Sequence, residues 1–186
     1  MKEIRWHGRG GNGAFTAAKL LGAAASVHGG KYAQSFPAFG PERRGAPVAG
    51  FTRISDEVIT DHSQVYACDC IIVLDETLFD VVPITAGIKD DATLLVNSQM
   101  TADEFRKAKK LDDIKNIVTI DATSIALEKL GRNIVNTIML GAAMGATGMV
   151  KWDSLEKAID EMMPGSLGEK NKDAAKTAFE MTKGAV

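Results

Sequence analysis

The densest group of residues that could do chemistry is a glycine-rich turn near the start of the chain. Its members are Gly8, Arg9, Gly10, Gly11, Asn12 and Gly13, which fit the pattern G-x-G-x-x-G. Between a strand and a helix, such a turn brings backbone N–H groups and a positive helix end together, which suits a phosphate or a carboxylate. Arg9 would add a charge-assisted hydrogen bond to that anion. Glycines here also permit a tight turn and close helix packing without any ligand, so both interpretations stay open.

A second candidate is a proline-rich segment with two adjacent arginines. Its residues are Phe39, Gly40, Pro41, Glu42, Arg43, Arg44 and Gly45. Proline and glycine indicate a rigid loop from which the two arginines point in different directions. One interpretation is a solvated loop in which Glu42 pairs with an arginine. The other, which the rigid backbone and the aromatic residues favour, is a contact surface whose arginine fork binds an anion or a carboxylate of a partner chain.

Other catalytic and nucleotide-binding patterns are absent from the sequence. A dinucleotide site would need an acidic residue about 20 positions after the glycine turn to hold the ribose. Residues 28–34 (HGGKYAQ) contain none, and the lysine-bearing phosphate motif and the common hydrolase motifs are also missing. We therefore assign no catalytic residue to this chain. The acidic residues that follow candidate strands lie where active sites of α/β sheets are often found, and they are equally well interpreted as helix-start residues. They are Asp75, Glu76, Asp80 and, with Thr123, Asp121.

The chain has two cysteines, Cys68 and Cys70, and this small number limits its redox chemistry. A cluster held by four cysteines cannot be housed in this chain alone. The C-x-C spacing places both thiols on one face of a strand, which is unsuited to a disulfide, and zinc would need two further ligands. We predict buried core thiols and no metal site.

Composition excludes several protein classes. The 186 residues are 45% hydrophobic and 25% charged, with a formal net charge of −2, so no strong basic field attracts nucleic acid. No run of 18 apolar residues could cross a membrane, and the N-terminus lacks an apolar signal-peptide core. We expect one domain, residues 1–186, located in the cytoplasm.

The elements that must position these residues follow an alternating pattern of strands and helices. Strands are predicted at 3–7, 70–74, 93–96 and 117–120, with a hairpin formed by 48–54 and 57–60. Helices are predicted at 14–28, 77–82, 101–110, 124–130, 133–144, from a cap at Asp153 or Ser154 to 163, and at 170–183. The helix 101–110 should begin with a capping box formed by Thr101 and Glu104. The segment 29–47 is interpreted as a loop. This pattern predicts an α/β protein with three layers, α/β/α, and a mixed, mostly parallel sheet.

Several blocks of the sequence resemble one known family. They are residues 4–13 (IRWHGRGGNG), 36–37, 39–48 (FGPERRGAPV), 51–56 (FTRISD), 72–75 and 96–97. Together they resemble the gamma subunit of 2-oxoacid:ferredoxin oxidoreductases, close to the pyruvate type, along essentially the whole chain. One departure is Asn12, where the family usually carries glutamine; the shorter amide keeps the chemistry but loses reach.

The resemblance implies a role inside a larger enzyme. Complexes of this family oxidatively decarboxylate a 2-oxoacid on thiamine diphosphate with Mg²⁺, pass electrons through 4Fe–4S clusters to ferredoxin, and release an acyl-coenzyme A and CO₂. The gamma chain would assemble with alpha, beta and delta subunits, carry neither thiamine nor clusters, and organise the active site and the access of coenzyme A. Pyruvate is the preferred substrate, although the other subunits should decide it.

The resemblance also assigns a place to both candidate segments. We expect the glycine turn, Gly8 to Gly13, and the loop from Phe39 to Gly45 to face the partner subunits near coenzyme A. The alternatives are a purely structural subunit and a stand-alone nucleotide-binding oxidoreductase that uses the glycine turn. Whether the isolated chain forms a homodimer stays open.

Overall fold

A mixed β-sheet lies at the centre of the computed structural model, which describes residues 1–38 and 44–186. Its strands are β1 (Lys2–Arg9), β2 (Tyr32–Pro37), β3 (Pro47–Ser55), β4 (Cys68–Val73), β5 (Ile88–Asn97) and β6 (Asn116–Ile120). They are ordered β2-β3-β1-β4-β5-β6. β3 is antiparallel to both β1 and β2, whereas β1, β4, β5 and β6 pair in parallel. Apart from β3, the strands of the described sheet therefore point the same way, and the predicted mixed, mostly parallel sheet is confirmed.

Helices cover the two faces of the sheet unequally. They are α1 (Ala14–Ser26), α2 (Ala102–Lys109), α3 (Ala122–Leu130), α4 (Asn136–Thr147), α5 (Trp152–Met162) and α6 (Ser166–Thr182). One hydrophobic cluster packs α1 and α3 to α6 against one face of the sheet. A smaller cluster packs α2 and a 3₁₀ turn, Glu76–Asp80, against the other face. The predicted three-layer α/β/α arrangement is confirmed, with the larger helical layer on one side.

Strand β1 shows how the sequence builds the centre of this sheet. Its side chains alternate, so that Ile4 and Trp6 are buried under the larger helical layer. The Trp6 indole N–H donates to Thr52 Oγ1 at 3.2 Å, and that hydroxyl donates to the carbonyl of Ala18 at 3.0 Å. β1, β3 and α1 are thereby joined through buried polar groups that are all partnered. The small residues of α1, such as Ala18, let the helix lie close to the sheet.

The segment predicted as a loop contains strand β2, and the predicted hairpin between 48–54 and 57–60 is wrong. β3 pairs with β1 along one edge and with β2 along the other, so it offers no free edge to residues 57–60. The carbonyls of Asp61 and Gln64 accept instead from the buried guanidinium of Arg53. β2 was not predicted, because prolines at 37, 41 and 47 indicated a loop. Pro37 ends a strand at the edge of the sheet, where the missing N–H of proline is tolerated.

The two cysteines lie in β4, but they do not share a face. The pairing of β4 with β5 shifts register between Cys68 and Cys70, which marks a bulge. Cys68 therefore packs in the smaller cluster, while Cys70 packs under the larger helical layer. The prediction of one shared face was wrong, and the prediction of buried thiols is confirmed.

The start of α2 agrees with its prediction, whereas the starts of α5 and α6 differ from theirs. The capping box at Thr101 and Glu104 is present as predicted. α5 begins after Lys151, so the predicted cap at Asp153 or Ser154 is wrong, and the hydroxyl of Ser154 donates to the carbonyl of His28. α6 begins at Ser166, ahead of the predicted Lys170. Among the described helices, none has the length and apolar character needed to cross a lipid bilayer.

We expect both thiols to be inert in the folded protein. Burial raises the pKa of Cys70 to about 12 and also raises the pKa of Cys68, and the thiolate is the reactive form. Titration with a disulfide reagent at neutral pH should detect no fast-reacting thiol until guanidinium chloride is added. After unfolding, both cysteines of the chain should react. Fast labelling of either one in the folded chain would contradict the burial described here.

Candidate functional site

A polar cleft lies at the edge of the sheet where the parallel strands end. Because β1, β4, β5 and β6 point the same way, the residues that follow them meet at this edge. The cleft has a volume of about 330 Å³. Its walls are Asn12, Leu74, Asp75, Glu76, Thr77, Asn97, Ser98, Gln99, Asp121, Thr123 and Asn133. Carboxamides, hydroxyls and carboxylates dominate this set, and α/β proteins bind ligands at such edges.

The glycine turn forms one border of the cleft. Gly11 has a φ of 98° and Gly13 a φ of 75°, conformations that side chains strongly disfavour. Gly13 is also the N-cap of α1, whose first turn contains no acidic residue. The positive end of the α1 dipole is therefore not offset by an acidic side chain on the helix itself. The Asn136 side chain, at the start of α4, donates to the Gly13 carbonyl at 3.3 Å and holds this helix start in place.

Arg9 contacts three residues in two other parts of the chain. Its Nε donates to Asp75 Oδ2 at 2.7 Å, its Nη2 to Thr77 Oγ1 at 2.7 Å, and its Nη1 to the Gly45 carbonyl at 3.1 Å. The sequence suggested that Arg9 would contact an external anion, whereas these contacts lie within the chain. Asp75 is the partner that sequence reasoning missed.

The described end of the arginine loop lies directly beside the glycine turn. Arg44 forms a parallel bridge with Gly10. The Gly10 N–H donates to the Ala46 carbonyl at 2.8 Å, and the Gly45 N–H donates to the Gly10 carbonyl at 3.0 Å. The structure thus brings the two candidate segments together through Arg44 and Gly45, both of which are exposed. The other candidates of this loop, Phe39, Gly40, Pro41, Glu42 and Arg43, lie outside the described residues.

Asn97 joins the ends of three elements on the far side of the cleft. Its amide Nδ2 donates to the Leu74 carbonyl and to Thr123 Oγ1, each at 3.0 Å. Its Oδ1 accepts from the Thr123 N–H at 3.3 Å. One carboxamide therefore connects the end of β4, the end of β5 and the start of α3. An asparagine directly after a buried strand was the only local signal for this role.

Asp75 and Asp121 begin helical turns, which is one of the two interpretations of the sequence. Asp75 accepts from the Thr77 N–H, and Asp121 accepts from the Ser124 N–H. Partial burial alone would raise the pKa of Asp75, but hydrogen bonds from Thr77 and Arg9 outweigh it and the pKa is lowered. The pKa of Asp121 is also lowered, because hydrogen bonds from Ser124 and Gln99 outweigh its burial. Asp80 lies at the other end of the 3₁₀ turn, where it pairs with Lys109.

These charges decide what the cleft can bind. Asp75 and Asp121 are ionised at neutral pH, and Glu76 accepts a hydrogen bond from Ser98 Oγ at 2.5 Å. Arg9 offsets the charge of Asp75, but a phosphate in the cleft would still meet the carboxylates of Asp121 and Glu76, so the acidic cleft disfavours anions. Groups suited to an anion lie just outside it, at Arg44 and the start of α1. Within residues 1–38 and 44–186, no group of three histidine, cysteine or acidic side chains is arranged to hold a metal ion.

The sheet order also argues against a dinucleotide site. β3 lies between β1 and β2, so the strand after α1 ends two positions away from the glycine turn. With about 4.8 Å between neighbouring strands, this adds roughly 5 Å to the distance expected when the two strands are adjacent. Strand β2 and the residue that follows it, 32–38, also contain no acidic residue to hold a ribose.

Comparisons with known proteins agree along the whole chain. Residues 3–181 match the family described as pyruvate ferredoxin/flavodoxin oxidoreductase. Pyruvate synthase subunit PorC of Methanothermobacter marburgensis is 55% identical over 183 residues, which cover 98% of each chain. The common gamma subunit of the pyruvate/ketoisovalerate oxidoreductases of Pyrococcus furiosus is 50% identical over 183 residues, covering 98% of this chain and 97% of that one.

A solved structure has the same fold. The crystal structure of pyruvate oxidoreductase subunit PORC from Thermotoga maritima superimposes with a TM-score of 0.83 at 39% sequence identity. The superposition covers 96% of this chain and 95% of that one.

Substitutions in the glycine turn should separate two causes of lost stability, backbone strain at Gly11 and Gly13 and the close contact of Gly13 with Asn136. Gly11→Ala should lower the free energy of unfolding by about 1 kcal/mol, because φ is positive there but a Cβ would have open space. Gly13→Ala should cost about 2 kcal/mol or more, because its Cβ would also lie 2.6 Å from Asn136 Nδ2. Denaturant unfolding of the full chain measures both values. Equal losses in the two variants would show that the contact with Asn136 contributes nothing.

Proposed function

This chain belongs to the pyruvate ferredoxin/flavodoxin oxidoreductase family, and on this premise we propose that its glycine turn and its arginine loop border the route of coenzyme A. It is the gamma subunit of a pyruvate or 2-oxoacid:ferredoxin oxidoreductase, a complex of several subunits. In the proposal, alpha, beta and delta subunits carry the thiamine diphosphate, the Mg²⁺ and the 4Fe–4S clusters, and ferredoxin accepts the electrons. Residues 1–186 act as one domain of this cytoplasmic enzyme.

The bridge between Gly10 and Arg44 is the observation that carries the proposal. It joins the two candidate segments into one exposed surface next to the start of α1. A guanidinium offers two parallel N–H donors, which suit a phosphate or a carboxylate. Coenzyme A is rich in phosphate, so the arginine side of this surface fits it and the acidic cleft does not. Asn12 lines that cleft, and the side chain at this position therefore lies on the side that phosphate avoids.

Two further observations support the proposal that other subunits hold the cofactors and select the 2-oxoacid. The chain's two cysteines are buried on opposite faces of β4, so they cannot act together as cluster ligands. The relative from Pyrococcus furiosus is named as common to pyruvate and ketoisovalerate oxidoreductases. If this chain plays the same part, the choice between these two 2-oxoacids is made by other subunits.

Anaerobic affinity purification of the tagged chain from its native cell tests the assembly. We expect brown, iron-containing partners to co-purify, and we expect the eluate to reduce a viologen dye when pyruvate and coenzyme A are both present. Omitting coenzyme A is the control, and other 2-oxoacids can be ranked on the same sample. A colourless single chain without activity, from a lysate that has the activity, would contradict the proposed assembly.

The variant Arg44→Ala tests the role of the arginine loop. In the purified complex it should raise the KM for coenzyme A about tenfold, as expected when one charge-assisted contact is lost. The kcat should change little, and Arg44→Lys should restore only part of the loss because lysine is not a fork. Lys157→Ala, which removes an exposed charge from α5, is the matched control. An unchanged KM together with intact assembly would favour the purely structural subunit.

A further inference from the structure

Arg9 occupies the point where the connections of the sheet change direction. The chain leaves β1 towards α1 and β2 on one side, and it leaves β4 towards the 3₁₀ turn and β5 on the other. In α/β proteins a crevice forms at such a point, and ligands commonly occupy it. Here Arg9 is the last residue of β1, and its guanidinium contacts Asp75 just after the end of β4, so that one residue connects the two strand ends.

The contacts of Arg9 also reach a third element. Its Nη1 donates to the carbonyl of Gly45, next to the bridge between Gly10 and Arg44. The Asn12 N–H donates back to the carbonyl of Arg9 at 2.8 Å, which closes the glycine turn over the same residue. Through its side chain and its carbonyl, Arg9 therefore connects the end of β4, the described end of the arginine loop and the glycine turn.

The geometry of these contacts requires a guanidinium. Nε, Nη1 and Nη2 each serve a different acceptor, on Asp75, Gly45 and Thr77 respectively. An ammonium group could reach the carboxylate as a point charge, but it has no fixed plane that would serve three acceptors in three directions. The Asp75 carboxylate is fixed in turn by the N–H and hydroxyl of Thr77, at 3.0 and 2.6 Å. Both partners of the ion pair are thus held in place before any ligand or subunit arrives.

We propose that Arg9 is a positioning residue, which holds the loop end at Arg44 and Gly45 against the glycine turn and so presents the Arg44 side chain in one orientation. The effect of Arg9 on coenzyme A binding rests on the proposed function, because it is Arg44 that would bind coenzyme A in this orientation. The position of the loop end against the glycine turn does not depend on that function. Arg9 itself is engaged inside the chain, so it acts through Arg44.

The structural content is tested on the full chain by hydrogen exchange and mass spectrometry. In Arg9→Ala and in Arg9→Lys, peptides that contain Gly10 and Gly45 should exchange about tenfold faster. The reason is that the hydrogen bonds from the Gly45 N–H to the Gly10 carbonyl and from the Gly10 N–H to the Ala46 carbonyl open more often. Peptides from β5 and β6 should not change. Arg106→Ala is the matched control, since Arg106 also donates to several backbone carbonyls, at Leu111, Ile114 and Lys115, but on α2. Unchanged exchange at both glycine peptides would overturn the inference.

The functional consequence is tested in the purified complex by a double-mutant cycle. Arg9→Ala should raise the KM for coenzyme A about tenfold with kcat nearly unchanged, and Arg9→Lys should not restore it. In the Arg44→Ala background, Arg9→Ala should add little further, because one residue acts through the other. Arg106→Ala should leave the KM as it is.

The outcomes separate this inference from the proposed function. Additive effects of the two variants on the KM would contradict action through Arg44. Faster exchange at the glycine peptides, with a normal KM in both Arg9→Ala and Arg44→Ala, would refute the coenzyme A role while Arg9 still holds the loop. Normal exchange with a raised KM only in Arg44→Ala would refute the role of Arg9 and support the proposed function.

Discussion

The pairing of β1 with β3 is the constraint on which the site depends. The two strands are in antiparallel register from Lys2 opposite Ile54 to Arg9 opposite Pro47. Because they run in opposite directions, β3 begins where β1 ends. The residues just before β3 must therefore lie beside the residues just after β1. The hydrogen bond from the Gly10 N–H to the Ala46 carbonyl continues this pairing beyond the sheet, next to the parallel bridge between Gly10 and Arg44. A one-residue slip would exchange the buried and exposed side chains of β1.

The same edge of the sheet carries two surfaces of opposite character. On the side of β4, β5 and β6, ionised carboxylates and carboxamides form the acidic cleft. On the side of β1 and β3, Arg44 and the start of α1 provide positive charge. The ion pair between Arg9 and Asp75 lies at the boundary and neutralises one charge of each kind. An anionic ligand at this edge is therefore directed to the arginine side, which is the physical basis of the proposal for coenzyme A.

Local patterns predicted most of the elements, and the failures have identifiable causes. Thr101 with Glu104, and the aspartates 75 and 121, were predicted as helix-start residues because these contacts involve neighbours in sequence. β2 was missed, and a strand was wrongly placed at 57–60. The residue types of these two segments do not show which of them pairs with the free edge of β3. The prediction that the two cysteines share one face of β4 was wrong because of the bulge between them, and that bulge depends on the pairing of β4 with β5.

The sequence by itself determined the α/β class, the glycine turn between β1 and α1, the helix caps and the membership of a family, since all of these depend on residue types at short spacing or on whole blocks of sequence. Only the tertiary structure decided that Arg9 meets Asp75, which is 66 residues away, and that Asn97 meets Thr123, which is 26 residues away. It also decided that the arginine loop ends beside the glycine turn. The physical reason is that such contacts follow from strand order and register, and these minimise the free energy of the whole sheet rather than of any single segment.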